Sequence, residues 1–281
     1  MLSKLLFFFS FIFLISVNVN AQDSTNSIND VFVPGGAVIM AVKAKDGIVM
    51  VSDSRLAYRS KQDNKLLAYQ DGVPKIFPLK KFSIGVSGDF SDGTTMVKKM
   101  IADFDKSNPS YRTPEECLYK FGRFAKEKYP TYFKNLTTNV FVCAGYAPEQ
   151  MIAILANGRT YSINQDAWVS NVFMEIDSLH LLNLPKDMNS KQVANAASDA
   201  LEGYIKAFHK ENELGSLFSV LKINADNSWH WAKNDFTGND YMTECEAAKA
   251  VFDKRLKFTY ISSDTKKIMQ EANKAIRKKC D

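Results

Sequence analysis

The stretch GGAVIMAVKAKDGIVMVSDSR, residues 35–55, decides the fold. Its two runs of almost wholly aliphatic residues, 37–42 and 48–51, flank a Lys-Asp-Gly segment at residues 45–47. An Asp-Gly pair between β-prone runs is a strong hairpin signal, because glycine tolerates the positive φ that a tight turn needs. The second strand ends in Ser-Asp-Ser-Arg at residues 52–55, which places a carboxylate and a guanidinium at a strand end, where folds expose chemistry.

The rest of the chain alternates blocks of short strands with amphipathic helices. A second hairpin signal, Asn157-Gly158, joins two of the strands, and residues 56–71 are predicted to form a polar loop. Strands are predicted at residues 75–79, 82–89, 139–146, 151–156, 160–164, 169–176, 216–223 and 229–233. Helices are predicted at residues 94–104, 113–128, 189–210, 244–256 and 265–278. Because hairpins dominate over βαβ units, the pattern predicts an α+β fold with antiparallel sheets and helices packed outside them.

The N-terminal segment, residues 1–21, has the pattern of a secretory signal peptide. Lys4 supplies a short positive region, residues 5–17 are strongly apolar, and residues 19–21 (VNA) are typical of a cleavage site. No other apolar run in the sequence is long enough to span a bilayer, so we expect an exported protein, periplasmic or secreted, without stable membrane insertion after cleavage. We divide the remaining chain into a polar linker or propeptide-like segment at 22–35, a domain at 36–235 and a helical extension at 236–281.

The net charge and the positions of the cysteines and histidines argue against a nucleic-acid-binding or metal-binding function. The formal charge of +5 is modest, and the dense basic groups, at residues 266–267 and 277–279, are typical of a solvated helix face rather than a nucleic-acid site. The three histidines and four cysteines lie far apart in sequence and fit no zinc spacing, so we expect no metal and no cofactor. The histidines are His180, His209 and His230, and the cysteines are Cys117, Cys143, Cys245 and Cys280.

Export permits disulfides, and four cysteines allow three full pairings among which the sequence does not choose. Cys143 lies in an apolar strand, which favours a buried free thiol. Cys245 and Cys280 bracket the C-terminal region, so a bond between them would staple it.

This order of elements, with these particular residues, resembles the proteasome subunit family of N-terminal nucleophile hydrolases. The resemblance runs from about residue 36 to 97, and more weakly to about residue 226. It rests on the Lys-Asp-Gly turn, the Asp-x-Arg strand end, the Lys-Ile strand at residues 75–76 and Ser-Gly-x-x-x-Asp from residue 87, all in the family's order. It implies a four-layer αββα sandwich, two antiparallel sheets between helices, with an added C-terminal helical tail.

The resemblance also implies where the site lies and what each position does. In the family, precursor cleavage exposes a threonine whose hydroxyl attacks an amide carbonyl while its own amine accepts the proton. Carried over to this chain, Asp53 matches the acid at the end of the second strand, and Lys75 matches the lysine that the acid holds. Gly88 matches the glycine of the oxyanion hole, and Gly36 matches the glycine before the scissile bond.

The nucleophile position falls on Ala37, whose methyl side chain has no group that attacks a carbonyl. The loop between Asp53 and Lys75 is longer than usual in the family. The family's Gly-Ser-Gly segment, which supplies a supporting serine, has no clear counterpart at residues 168–177. Glu213 and residues 215–216 are loose matches for its later acidic and serine positions.

Three functional hypotheses follow from these matches. The first is a catalytically degenerate member of the threonine-peptidase group that binds a peptide or small amide, or assembles with itself or with other proteasome-like subunits. The second is an active amide-bond hydrolase that uses Ser52, Ser54 or Ser87. The third is a plain exported structural or adhesion domain. Without the family pattern, Asp53 and Arg55 would simply pair at the strand end.

Overall fold

The computed structural model describes most of the chain beyond the N-terminal segment. The described residues are 32–36, 38–60, 63–91, 95–134, 139–170, 184–185, 187–208, 215, 217–235, 243–255 and 257–280. The predicted signal peptide, Ala37 and most of residues 171–186 lie outside them, as do His180 and His209.

Fourteen strands and six helices are formed by the described residues. The strands are β1 (Phe32–Gly35), β2 (Ile39–Ala44), β3 (Gly47–Asp53), β4 (Leu56–Ser60), β5 (Leu66–Gln70), β6 (Ile76–Pro78), β7 (Ser83–Ser87), β8 (Val140–Tyr146), β9 (Gln150–Ala156), β10 (Arg159–Ile163), β11 (Ala167–Val169), β12 (Phe218–Ile223), β13 (Trp229–Lys233) and β14 (Thr259–Tyr260). The helices are α1 (Val97–Lys106), α2 (Pro114–Lys128), α3 (Pro130–Lys134), α4 (Ser190–Phe208), α5 (Glu244–Phe252) and α6 (Ser263–Cys280).

Two five-stranded antiparallel sheets form the centre of the molecule, in the orders β11-β2-β3-β12-β13 and β10-β9-β8-β7-β6. Alternation along β2 sends Ile39 and Ala41 into the core between the sheets, and Met40 and Val42 towards α4 on the other face. Helix α2 covers the outer face of the second sheet. The α+β class and the helix–sheet–sheet–helix sandwich predicted from the sequence are therefore confirmed.

Both predicted hairpin turns are present, but their glycines act differently. Asn157 and Gly158 have φ of 51° and 71°, the left-handed conformation that a tight hairpin turn requires. Gly47 is the first residue of β3 and does not have a positive φ, so the predicted reason for this glycine is wrong. A Cβ on Gly47 would lie only 2.7 Å from the carbonyl oxygen of Ile223. The close approach of β12 is therefore what requires glycine there.

The prediction of a polar loop at residues 56–71 is also wrong, because this segment forms β4 and β5. These strands belong to a third sheet with the order β1-β4-β5-β14. Their partners lie at opposite ends of the chain: β1 precedes the sandwich, and β14 follows it. The apolar runs in β4 and β5 are short and flank a polar turn, so hydrophobic periodicity gives little sign of either strand. Their pairing with β1 and β14 is also a contact between segments far apart in the chain, which local patterns do not reveal.

The predicted C-terminal helices exist as α5 and α6. Helix α5 starts with a capping box in which Thr243 and Glu246 each bond the other's backbone N–H. A disulfide joins Cys245 to Cys280 and links the first turn of α5 to the end of α6. Of the pairings that the sequence leaves open, the structure therefore contains the one that closes the C-terminal region. Cys117 and Cys143 are buried free thiols, as predicted for Cys143.

Candidate functional site

The sandwich brings the two predicted site residues of opposite charge into direct contact. Asp53 is the last residue of β3 in one sheet, and Lys75 immediately precedes β6 in the other. The Lys75 Nζ lies 3.0 Å from both carboxylate oxygens of Asp53, and both side chains are 0% exposed. A buried charge is strongly destabilised unless it is paired and hydrogen-bonded, so each residue depends on the other.

The backbone around Asp53 fixes the carboxylate. The Val38 N–H donates to Oδ1 at 2.8 Å, and the Arg55 N–H donates to Oδ2 at 2.9 Å. With the two contacts from Lys75, both oxygens of the carboxylate are held by charge-assisted hydrogen bonds. Asp53 therefore ties the start of the first sandwich strand to the end of the second.

The Lys75 ammonium also binds two backbone carbonyls. It donates to the Gly36 carbonyl oxygen at 2.9 Å and to that of Arg55. Burial lowers the pKa of Lys75 below its ordinary value, and the neighbouring Asp53 carboxylate opposes that shift. Chemically, the ammonium is placed to polarise the carbonyl of Gly36, the residue that precedes the predicted nucleophile position.

Gly88 also lies at this point. The Gly36 N–H donates to the Gly88 carbonyl oxygen at 3.2 Å, and the two glycines have φ of 90° and 118°. These positive values are strained for residues with a Cβ, which explains glycine at both positions. The predicted residues Gly36, Asp53, Lys75 and Gly88 thus converge on one place, and the catalytic roles implied for them stay predictions.

The predicted nucleophile position, Ala37, lies outside the described residues. Its neighbours Gly36 and Val38 are both described, and both bond to the site, through the Gly36 carbonyl and the Val38 N–H. The backbone on either side of residue 37 is therefore held next to the Asp53–Lys75 pair.

Arg55 does not use its guanidinium on Asp53, as the simple strand-end pairing would require. It binds Asp71 through Nε and Nη2, at 2.8 and 2.9 Å, and stacks over the Tyr69 ring at 3.6 Å. Gly215 packs on this pair, since a Cβ there would lie 2.6 Å from Asp71 Oδ1. The other loose candidates, Glu213 and Ser216, lie outside the described residues.

The alternative nucleophiles have different surroundings. The Ser54 hydroxyl donates to the Leu217 carbonyl and accepts from the Gly72 N–H, which marks it as a structural bridge. The Ser52 hydroxyl is buried and has no hydrogen-bond partner among the described residues. Ser87 is the buried last residue of β7. A buried serine needs an adjacent base to become a nucleophile. Of the three histidines only His230 is described, and it lies on the edge strand β13, which β12 separates from β3.

Ser170 was missed by sequence reasoning and lies beside the first sandwich strand. Its hydroxyl accepts from the Ile39 N–H at 3.3 Å, its own N–H donates to the Ile39 carbonyl at 2.9 Å, and it is buried. It follows β11 directly, in the region where we found no counterpart for the family's supporting serine. The one available signal was a serine at the end of a short apolar strand, which is too common to single out.

Among the described residues, no three His, Cys, Asp or Glu side chains are grouped so that they would hold a metal ion. Within the same ranges, every helix is too short or too polar to serve as a transmembrane span.

Part of the chain resembles a known protein family. A family model described as "Proteasome subunit" matches residues 33–156, which contain Asp53, Lys75 and Gly88. The resemblance to the proteasome subunit family that the sequence predicts is therefore confirmed over these residues. Among curated proteins, no sequence matches it.

Solved structures share the fold at low sequence identity. A mutant of Anbu from Hyphomicrobium sp. strain MC1 superposes with a TM-score of 0.54 at 10% identity, covering 78% of this chain and 95% of that one. Anbu from Yersinia bercovieri, described as an ancestral beta-subunit, also has a TM-score of 0.54 and 10% identity, with coverages of 70% and 88%. At this identity the likeness shows the fold alone, and that fold agrees with the Ntn-hydrolase-like sandwich predicted from the sequence.

Proposed function

We propose that this chain is an exported, catalytically degenerate proteasome-type subunit that binds peptide or assembles with other subunits instead of cleaving amide bonds. The observation that carries the proposal is the combination of an intact, buried Asp53–Lys75 pair with alanine at position 37. The groups that would support a nucleophile remain, and the hydroxyl that would attack is absent from the sequence.

Strand β1 supports the binding role. Residues Phe32–Gly35 pair antiparallel with β4, from Phe32 opposite Ser60 to Gly35 opposite Ala57, and the next carbonyl, of Gly36, is held by Lys75. Residues 32–35 of the chain itself thus lie next to the site as an extended peptide added to a sheet edge. Release of this strand would open the β4 edge, which would then take another extended peptide in the same register.

Export is supported by the signal-peptide pattern of residues 1–21 and by the Cys245–Cys280 disulfide, since disulfides persist in oxidising compartments. Assembly is supported by the family's description and that of the Yersinia structure, both of which are subunits. This support applies equally to a homo-oligomer and to a hetero-oligomer with proteasome-like subunits. Measuring the molecular mass of the purified protein in solution distinguishes an assembly from a monomeric binder.

The central experiment restores the missing hydroxyl. In Ala37→Thr we expect scission after Gly36, read as a shortened chain by intact mass, because Lys75 already holds the Gly36 carbonyl. The matched control is Ala37→Val, which adds the same branched shape without the hydroxyl and should remain uncut. Adding Lys75→Met to Ala37→Thr should abolish or strongly slow scission.

An uncut Ala37→Thr chain that is folded would contradict an intact site, and a cut Ala37→Val chain would show that another protease acts. Wild-type protein should not hydrolyse peptide amides. If the wild type does hydrolyse peptide amides and Ser52→Ala does not, the result would instead support an active hydrolase with a different nucleophile.

A further inference from the structure

Strand β10 is a sheet edge that lacks the usual protection against pairing with another chain. Proteins protect such edges with prolines, bulges, charges or very short strands. Of the other edges among the described strands, β1 and β6 contain Pro34 and Pro78, β11 and β14 have three and two residues, and β13 pairs with β12 in an irregular register. Strand β10 has five residues in regular register with β9, and Arg159 is the one charged residue among them. Of the described edges, β10 is therefore the most open to a further strand.

Helix α2 places a row of three long side chains along this edge. Glu115, Tyr119 and Arg123 are spaced four residues apart and so form one ridge on the helix surface, which we call the α2 ridge. The Ser162 hydroxyl of β10 donates to the Glu115 carboxylate, and Tyr119 and Arg123 line a groove of about 510 Å³ between α2 and β10. The α2 ridge therefore faces the side on which an added strand would lie.

Two exposed tyrosines lie on the two faces of the β10 edge. Ser162 contacts α2, so alternation along the strand puts Tyr161 on the opposite face. Tyr161 is 46% exposed, and Tyr119, on the α2 side, is 54% exposed. Tyrosine is enriched in interfaces because it combines a large apolar ring with a polar hydroxyl. Both faces of the edge thus carry a side chain suited to an interface.

The strand is complementary to itself in an antiparallel pair. A register centred on Tyr161 pairs all five residues of two β10 strands, with Tyr161 opposite Tyr161 and Thr160 opposite Ser162. Aromatic pairs and pairs of hydroxyl residues are favourable across antiparallel strands. A register centred on Arg159 would instead place like charges opposite each other.

The middle of the α2 ridge lies level with the middle of β10. Near one end of the strand Ser162 bonds Glu115, and near the other end Leu155, the cross-strand neighbour of Thr160, packs on Gly122. The helical segment between these contacts is centred within one turn of the middle residue of the ridge. One two-fold axis therefore passes close to the centres of the strand and of the ridge.

This rotation also makes the charges of the α2 ridge complementary. It reverses the ridge, so Glu115 faces the partner's Arg123, and Tyr119 faces the partner's Tyr119. Helix α2 lies mainly over β9, about one and a half strand spacings from the axis, so the two helices would be about 14 Å apart, a gap that these long side chains span. Within the chain, Arg123 lies 3.8 Å from Glu127, and because the two side chains are 66% and 72% exposed this pair is weak.

We propose that the β10 edge and the α2 ridge form a two-fold interface with a second copy of this chain, which joins two five-stranded sheets into one continuous sheet. Three strands separate β10 from β6, which follows Lys75, so the Asp53–Lys75 site stays outside the interface. This inference rests on the assembly proposed above and names both its surface and its partner.

The first test is the molecular mass of the full, disulfide-bonded chain, measured by sedimentation over a range of concentrations. The wild type should reach twice the chain mass. Glu115→Arg and Arg123→Glu should each weaken the dimer about tenfold or more, because each places like charges opposite each other at two symmetric positions. The double variant exchanges the charges and should restore the dimer. The matched control is Lys191→Glu on the exposed surface of α4, which should leave the mass unchanged.

The rescue distinguishes an interface from a role within the chain. Glu115 and Arg123 are eight residues apart on one helix, about 12 Å along its axis, so their charges can compensate each other only between two chains.

Disulfide trapping tests the register. With oxidised glutathione as the oxidant, Tyr161→Cys should form a covalent dimer, because this residue lies opposite itself at a separation that a disulfide bridges. The matched control is Ser162→Cys, whose two copies would be diagonal neighbours about 7–8 Å apart and should not link. The native free thiols, Cys117 and Cys143, are buried and should not compete.

A wild type that is monomeric at every concentration tested overturns the proposal, as does equal trapping in Tyr161→Cys and Ser162→Cys. An assembly that persists in both single charge variants also overturns it, but leaves the assembly proposed above in place through another surface. Scission of Ala37→Thr after Gly36 does not require the dimer, so the degenerate site and the interface can fail independently.

Discussion

Two ion pairs begin two residues apart in the sequence, and they differ in burial and in partners. Asp53 and Lys75 are both 0% exposed and are surrounded by backbone groups, which bond both oxygens of the carboxylate and the ammonium. Arg55 and Asp71 have side chains 11% and 28% exposed and are stacked on Tyr69. The first pair joins the two sheets of the sandwich, and the second joins the end of β3 to the end of β5.

The difference indicates what each pair is for. Desolvation makes a fully buried pair a poor source of stability compared with apolar residues of similar size. The bonds of this pair to the Gly36 carbonyl and the Val38 N–H instead favour a role in positioning the backbone on either side of residue 37. The outer pair has bidentate geometry and keeps some contact with water, so less desolvation opposes its attraction. Removing one partner of the outer pair should therefore destabilise the protein less than removing one partner of the inner pair.

The largest expected effect is that of breaking the inner pair. Asp53→Asn should lower the free energy of unfolding by about 3–5 kcal/mol, because it leaves the Lys75 charge buried without its counter-ion. Urea denaturation monitored by fluorescence measures this loss. The matched variant is Asp71→Asn, for which we expect about 1–2 kcal/mol. Equal losses in the two variants would show that burial does not distinguish the pairs.

An intermediate effect is expected when the geometry of the outer pair is changed at constant charge. Arg55→Lys should lower the free energy of unfolding by about 1 kcal/mol, because lysine neither forms the two-point contact with Asp71 nor stacks as a plane on Tyr69. Thermal unfolding measures the change, and Arg59→Lys, in the following strand β4, is the control. A neutral result at Arg55 would assign the pair's contribution to charge alone.

The smallest effect extends the comparison to a more exposed cluster. Burial alone would raise the pKa of Asp103, but hydrogen bonds from Lys99, Tyr129 and Lys128 lower it well below its ordinary value. A carboxyl with a lowered folded-state pKa stabilises the protein above its unfolded value of 3.8, and this contribution is lost as the pH falls through the folded value.

Wild type should therefore exceed Asp103→Asn in stability by up to about 1 kcal/mol at pH 6, and the advantage should shrink below about pH 4. Thermal unfolding of both proteins from pH 6 to pH 2.5 measures the difference. An advantage that is constant over this range would contradict the assignment of the lowered pKa to Asp103.

Much of the fold was predictable because its signals are local. The two hairpin turns are each decided within a few residues, and so is the start of α2, where the Thr113 side chain accepts a hydrogen bond from the Glu116 N–H. The site was predictable only through the family's residue order, since Asp53, Lys75 and Gly88 are individually ordinary. The strands β4 and β5 were missed because their partners, β1 and β14, are distant in the chain, and Ser170 was missed because its neighbour Ile39 is 131 residues away.

By itself, the sequence determined the α+β class, the hairpin at residues 45–47, the alanine at position 37 and the family's order of acid, lysine and glycine, because each depends on residue type and short spacing. Tertiary structure alone decided that Arg55 pairs with Asp71 and that Lys75 reaches the Gly36 carbonyl. It also decided that Cys245 bonds Cys280 and that residues 32–35 form a strand on β4. These pairings join segments far apart in the chain, and burial of charge and of backbone polar groups selects among them only when the sheets have packed.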